Sequence, residues 1–240
     1  MSNLKMIYIG IQARVTSQRL PGKVLLKIDG KTYIDHILYQ CSKTMKYMNK
    51  HAEKSGFYVN YALLIPNGDK LKELYSSKVM VIEGDEHDVL SRYVKLRCDT
   101  NSDYVVRITA DCPMMDASII TKHINVALRN EYDYVANCFE GYRTFCDGHD
   151  VEIFSKKAID WLGLNAVGSE REHVTLRLRT KPPFWLKSAI VMKPCDESEI
   201  KYSVDVMSDH ERVKARMENG IRKRKTAMTK LGKRNVFNFG

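Results

Sequence analysis

The sequence predicts an α/β domain built on a doubly wound, mostly parallel sheet with helices on both faces. Three observations carry this expectation. Residues 6–13, MIYIGIQA, form a near-continuous apolar run, as a central strand covered on both faces requires. Short strand-like runs then alternate with amphipathic helical stretches over the first 140 residues. No internal repeat or low-complexity linker divides the chain, and 240 residues with 44% hydrophobic side chains suffice for one ordinary core with a small annexed lobe.

After the first strand, residues 33–48 place Tyr33, Ile34, Ile37, Leu38, Cys41, Met45 and Met48 at spacings of three and four, which predicts a helix with one apolar stripe. The runs 58–65, YVNYALLI, and 79–82, VMVI, are the next strand candidates. GDEHDVLSRYVKLRC opens a helix for which Asp85 is the expected N-cap, with Asp88 three residues on imitating a capping box. Strand 104–109, YVVRIT, leads to DASIITKHINVALRN, a helix expected to start on Asp116. Further strands are expected at 133–137, 151–154, 184–192 and 201–205. The alternation loosens after about residue 140, where turns, the Pro182-Pro183 break and the extended 184–192 run suggest an inserted hairpin or lobe.

The formal charge of +10 belongs to one end of the chain. From Arg212 to Gly240 there are ten Lys or Arg against Glu218 alone, a net +9, so the remainder is close to neutral. Such a run reads first as a solvated helix face followed by a loose tail, and as a polyanion-binding element second. The six cysteines are scattered without a C-x-x-C pair, which argues against a zinc ribbon and a secreted disulfide framework. With no long apolar span and no cleavage-site pattern near the N-terminus, a cytoplasmic protein is expected.

The segment GIQARVTSQRLPGK, residues 10–23, leaves the first strand and spends Arg14, Arg19 and Lys23 on one short connection. At the carboxyl end of a central strand such a turn exposes backbone N–H groups among fixed positive charges, which suits a chain of phosphates. It is neither G-x-x-x-x-G-K-[ST] nor G-x-G-x-x-G. In VRITADCP, residues 106–113, Asp111 stands at a strand end on the same rim, where a carboxylate can hold a divalent metal. In KYSVDVMSD, residues 201–209, Asp205 ends another expected strand. The three together describe a metal–nucleotide site, while each alone also reads as a surface turn or a cap.

The string IQARVTSQRLPGKVLLKIDGK resembles the A-R-x-x-S-x-R-L-P-G-K signature of cytidylyltransferases that activate sugar acids. GDEHDVLSRY, VVRITADCP, DGHDVEIFS, EREHVT and SVDVMSDHE resemble, in order, motifs of the spore-coat-polysaccharide branch of that superfamily, over residues 6–212. The resemblance implies a Rossmann-like nucleotidyltransferase domain over 1–220, with a dimerising and acceptor lobe at roughly 140–195, and a basic tail at 221–240. It implies CTP as substrate, Mg²⁺ as cofactor, pyrophosphate as product and a homodimer. Arg14, Arg19 and Lys23 would contact the triphosphate and Asp111 and Asp205 would bind the metal, with Arg14, Lys23 and Asp111 carrying the chemistry. Gln12 and Ala13 would sit near the base, which such enzymes read largely through main-chain groups. Asp88 and Arg92 would lie beside the nucleotide, although Asp88 also reads as a helix cap and Arg92 as its i+4 ion-pair partner.

The resemblance places CDGHDVE and EREHVT near the acceptor, where Arg143, Asp147, His149, Arg171 and His173 are candidate ligands. The arginines would clamp a substrate carboxylate. Asp150, Glu152 and Glu172 lie in the same motifs. The histidine spacing is not a zinc motif. No residue stands out as general base, and an already ionised acceptor needs no strong one. Alternative readings are cytidylyl transfer to a phosphorylated polyol or an amino-acid derivative, or a non-enzymatic nucleic-acid-binding protein using the tail, although no basic platform interleaved with aromatics supports the latter.

Overall fold

The computed structural model describes residues 4–50, 52 and 56–234. Its centre is β1 (Lys5–Gln12), paired in parallel with β4 (Phe57–Pro66) on one side and β6 (Tyr104–Thr109) on the other. Beyond β4 lies β5 (Met80–Gly84), and beyond β6 lie β8 (Glu152–Ser155), β7 (Tyr134–Ala136) and β9 (Ser188–Ile190), giving the order β5-β4-β1-β6-β8-β7-β9. Only β8 runs against the others, pairing antiparallel with both β6 and β7. Two short strands, β2 (Lys27–Ile28) and β3 (Lys31–Thr32), form a separate ribbon after the first loop.

Alternation along the strands builds two cores. Ile7, Ile9 and Ile11 of β1, with Val106 and Ile108 of β6, face α1 (Tyr33–Asn49) and α4 (Ala117–Asn130). Tyr8, Leu64 and Val105 face α3 (Val89–Thr100) and α5 (Lys156–Asn165), where Tyr93 meets Phe154 edge-on. The α1 stripe expected from the sequence is buried at Tyr33, Ile34, Ile37, Cys41 and Met48. Thr32 and Asp35 close a reciprocal capping box at its start. Three short helices, α2 (Leu71–Tyr75), α6 (Ser169–Glu172) and α7 (Leu176–Thr180), fill connections.

Several expectations are corrected. The N-cap of α3 is Asp88, whose side chain accepts from the Ser91 N–H. Asp85 instead accepts from His87 and Asp88 N–H groups in the preceding turn. The 184–192 stretch contributes only the three residues of β9, with no hairpin. Residues 201–205 form no strand, Lys201 making a single bridge to Asp147. Their order comes instead from backbone bonds to Asp147 and Asp111. The basic C-terminal segment enters a helix, α8 (Met207–Arg234), so the tail expected at 221–240 is helical as far as Arg234, and 235–240 lie outside the described residues. No described helix is long and apolar enough to cross a membrane.

The chain steps outward from β1 through β4 to β5, then returns across β1 to β6. Connections therefore diverge on either side of the β1–β6 boundary, and a crevice opens above the carboxyl ends of these two strands. Gln12 and Thr109 are register partners at that boundary.

A candidate nucleotide site at the strand switch point

The loop after β1 is shaped by turn chemistry and by one buried acid. Pro21 and Gly22 occupy the middle of a turn closed by the Lys23 N–H donating to the Leu20 carbonyl at 3.1 Å. Gly22 sits at φ 71°, the left-handed conformation this turn demands at its third position. The Gly22 N–H returns to the Val15 carbonyl at 2.8 Å. Asp69, 8% exposed, accepts from the Val15 N–H at 3.0 Å and ties the loop to the end of β4. The result swings Lys23 back under the loop, where its side chain is buried.

There Lys23 joins two segments distant in sequence. Its ammonium donates to Asp111 Oδ2 at 2.7 Å and to the Val204 carbonyl at 2.7 Å, and lies 3.3 Å from Asp205 Oδ1. The Val204 N–H donates to the Asp111 carbonyl at 3.1 Å, so the 202–205 segment is sewn to the end of β6. Asp205 also meets Arg19 Nη2 at 2.9 Å and Lys201 Nζ at 3.0 Å. Burial pushes the Asp205 carboxyl up, but Lys201 and Lys23 outweigh it and hold the group below its ordinary value. Asp209 fixes Lys201 at 2.9 Å and accepts from the Asp205 N–H at 3.0 Å.

Asp111 and Asp205 thus converge on the one Lys23 ammonium. Among the described residues, no group of three or more His, Cys, Asp or Glu side chains could hold a metal. A pair of carboxylates suits an ion that completes its shell with phosphate oxygens and water, which is the habit of Mg²⁺. Asp111 and Asp205 are the residues that would hold it.

Beside this cluster lies a cavity of about 120 Å³ lined by Gln12, Ala13, Arg14, Ser17, Lys23, Val24, Arg92, Thr109 and Asp111. Ala13 is buried and its N–H donates to the Leu64 carbonyl at 3.0 Å. Among the described residues, Arg14 forms an ion pair with Glu86 alone, at 3.7 Å. Arg92 does not pair with Asp88: it is 1% exposed, and among the described residues its one hydrogen bond goes from Nη1 to the Leu64 carbonyl at 3.3 Å. Burial pulls the Arg92 guanidinium below its ordinary value. Asp88 instead binds Arg171, 83 residues away, at 2.8 Å.

The acceptor-side candidates lie apart from the cavity lining, and most already have partners. Arg143 grips Asp150 with two bonds of 2.7 and 2.9 Å. Burial pushes the Asp150 carboxyl up in spite of that pairing. Arg171 Nη1 also donates to the Gly163 and Ala166 carbonyls. Asp147 accepts from the Ser203 hydroxyl at 2.7 Å, which couples the acceptor motif to the Asp205 segment. His149 bonds the Met114 carbonyl through Nε2 at 3.0 Å and packs on Tyr202, and burial lowers its pKa. His173 is exposed at the end of α6. Glu152, 1% exposed, is taken up by Arg107, Tyr134 and Thr175.

Sequence reading missed Ser17 and Thr109 in the cavity wall, and Lys201 and Asp209 behind Asp205. Ser17 and Thr109 lie inside quoted motifs, flanking residues that were singled out. Lys201 and Asp209 leave no local signal, since their effect depends on how an irregular segment folds back. The basic tail, on which the nucleic-acid reading rests, has its side chains from residue 222 outside the described residues.

A family model for cytidylyltransferases matches residues 8–51 and 66–182. The chain is 26% identical over 215 residues to the spore coat polysaccharide biosynthesis protein SpsF of Bacillus subtilis, covering 85% of this chain and 83% of that one. A solved cytidylyltransferase from Leptospira borgpetersenii superposes with a TM-score of 0.74 at 28% identity, covering 87% of this chain and 84% of the other. A CMP:2-keto-3-deoxy-manno-octonic acid synthetase solved with CTP shares the fold, with a TM-score of 0.63 at 15% identity over 90% of this chain and 99% of the other. With more than half of its sequence matched by that family model, and its sheet shared with those structures, this chain belongs to the cytidylyltransferase family and is a nucleotidyltransferase.

Proposed function

We propose that the chain transfers a cytidylyl group from CTP to a sugar acid used in surface polysaccharide or glycan synthesis, releasing pyrophosphate. One observation carries the reading: Lys23 draws Asp111 and Asp205 together at the strand switch point, beneath a loop bearing two more cations. In this reading an acceptor oxygen forms a bond to the α-phosphorus as the bond to the bridging oxygen of the β-phosphate breaks. The proton of the acceptor oxygen passes to solvent, and pyrophosphate carries away the electron pair of the broken bond.

Arg14, Arg19 and Lys23 hold the triphosphate, and Lys23 offsets charge on the departing pyrophosphate. Asp111 and Asp205 would hold a Mg²⁺, which would supply further charge neutralisation at the phosphate oxygens. Gln12, Ala13 and Arg92 line the nucleotide cavity, and Asp88 fixes the start of the helix that carries Arg92. On the acceptor side, Asp147, His149 and His173 are assigned to contact the sugar, and Arg143 and Arg171 become available to a carboxylate only by exchanging Asp150 and Asp88 for it. CTP bound to the structurally similar synthetase, and the polysaccharide role named for SpsF, support this choice over a phosphorylated polyol or an amino-acid derivative. A homodimer through the 140–195 region belongs to the same proposal, supported by exposed Leu164, Val167 and Phe184. Six free cysteines fit a reducing cytoplasm.

A thermal-shift panel of nucleoside triphosphates with Mg²⁺ tests the reading, because a ligand that binds only the folded chain raises its melting temperature. CTP is expected to stabilise. Pyrophosphate release with 2-keto-3-deoxy-manno-octonate and related sugar acids follows, and Asp111→Asn should lower it by about 100-fold or more with an unchanged far-UV spectrum. Unchanged turnover in that variant would remove the metal assignment.

A further inference from the structure

A second cavity, of about 890 Å³, opens between the 199–202 segment and α8, with Glu199, Lys201, Tyr202, Arg212, Arg216 and Asn219 in its wall. That volume falls within the range of about 300–1,000 Å³ typical of small-molecule sites. Three of its lining side chains are cations, against the single acid Glu199. Arg216 lies over the Tyr202 ring, 5.1 Å from the centroid, and among the described residues it forms no ion pair. Tyr202 is itself fixed: it is 7% exposed, packs on His149 and donates its N–H to the Asp147 carbonyl at 2.6 Å. A guanidinium held this way loses little freedom on meeting an anion, and its planar fork matches phosphate oxygens.

Lys201 belongs to this cavity and to the carboxylate cluster at once. Its ammonium lies 3.0 Å from Asp205 Oδ2 and 2.9 Å from Asp209 Oδ2, and Arg212 Nη2 donates to the other Asp209 oxygen at 2.7 Å. A divalent ion at Asp205 competes with Lys201 for that carboxylate. An anion in the cavity competes with the same carboxylate for Lys201. Each ligand therefore weakens a contact that the other must displace, and by linkage the two favour each other's binding.

We propose that the cavity between residues 199–202 and α8 binds a phosphomonoester of a polyhydroxy compound, such as a sugar phosphate, whose phosphate draws Lys201 from Asp205 and raises the affinity of the carboxylate pair for its divalent ion. This rests on the metal reading above and adds an effector site to it. Arg216 and Lys201 pair with the phosphate. Arg212 keeps Asp209 through Nη2 and has further donors for the same oxygens, so the buried Asp209 retains a partner. Asn219 and Glu199 serve hydroxyl groups, and Glu199 disfavours a longer polyanion by opposing its further charges.

Calorimetric titration of the full chain with glucose 6-phosphate, without CTP, tests the site, with glucose as the uncharged control. Glucose 6-phosphate should bind about tenfold or more tighter than glucose, and Arg216→Gln should weaken it about tenfold or more. Arg19→Gln should leave it within about twofold of the wild type, because that side chain belongs to the triphosphate loop. The reverse pattern, which occupancy of the triphosphate site would produce, overturns the proposal, as does an absence of binding. Pyrophosphate release from CTP then reads the coupling. Saturating glucose 6-phosphate should lower the half-saturating Mg²⁺ concentration about fivefold or more in the wild type, and less than about twofold in Lys201→Met, which retains Arg212 and Arg216. Without glucose 6-phosphate, Arg216→Gln should keep the wild-type Mg²⁺ requirement. An unchanged or higher requirement in the wild type with glucose 6-phosphate, or an equal fall in Lys201→Met, overturns the coupling. If glucose 6-phosphate binds through Arg216 while CTP is not turned over at all, the nucleotide reading fails and the anion site stands.

Discussion

Lys23 concentrates three long-range contacts at the strand switch point in one side chain. Its ammonium serves Asp111, Asp205 and the Val204 carbonyl, so removing it leaves two carboxylates facing each other in a partly buried pocket. Lys23→Met is expected to cost about 1–2 kcal/mol in urea denaturation, a figure discounted for the partial exposure of both acids. It should also lower CTP-dependent pyrophosphate release by about 100–1,000-fold. Lys23 and Asp111 were legible because each ends a local pattern, a Pro-Gly turn and a strand before proline. Arg171 was legible only as a charge. Its partner Asp88 lies 83 residues away, whereas the sequence offered Arg92 at the convenient i+4 spacing. Local spacing shows which pairs can form, and the competition among all carboxylates in space decides which do.

Among the elements, α4 shows how far periodicity reaches. Its N-cap at Asp116 and its buried stripe follow from the sequence, with the stripe including His123, which is fully buried. Burial drives the His123 pKa from 6.5 to about 4, against the backbone bond to Ile119. The unfolded chain therefore binds the extra proton between those values, and stability is fully present above about pH 6.5 and lost as pH falls toward about 4. The loss should approach about 3 kcal/mol, as 1.36 kcal/mol per unit implies. Urea midpoints across that range check it, and His123→Leu should remove this part of the slope. The start of α3 was misplaced by one turn because Asp85 and Asp88 are both competent caps. Only the turn that closes on Asp85 settles that Asp88 faces the helix.

For the whole molecule, the important event is the return of the 140–205 segment to the strand ends. Gly148 sits at φ 99°, and a Cβ there would lie 2.5 Å from the Ser203 backbone nitrogen. Gly148→Ala must move the segment that carries Asp205 or strain its own backbone. It should destabilise the chain by about 3 kcal/mol or more and lower CTP-dependent turnover, measured by denaturation and pyrophosphate release. By itself the sequence determined the α/β class, most strands and helices of the first 140 residues, and the loop chemistry at 10–23, because periodicity, caps and turn residues act between near neighbours. Tertiary structure alone decided that β8 runs antiparallel, that Asp205 arrives on an irregular segment, and that Arg92 has no ion-pair partner among the described residues while Arg143 and Arg171 have theirs. Those outcomes depend on which distant backbone and charged groups meet once water is excluded, and no window of sequence contains both members of such a pair.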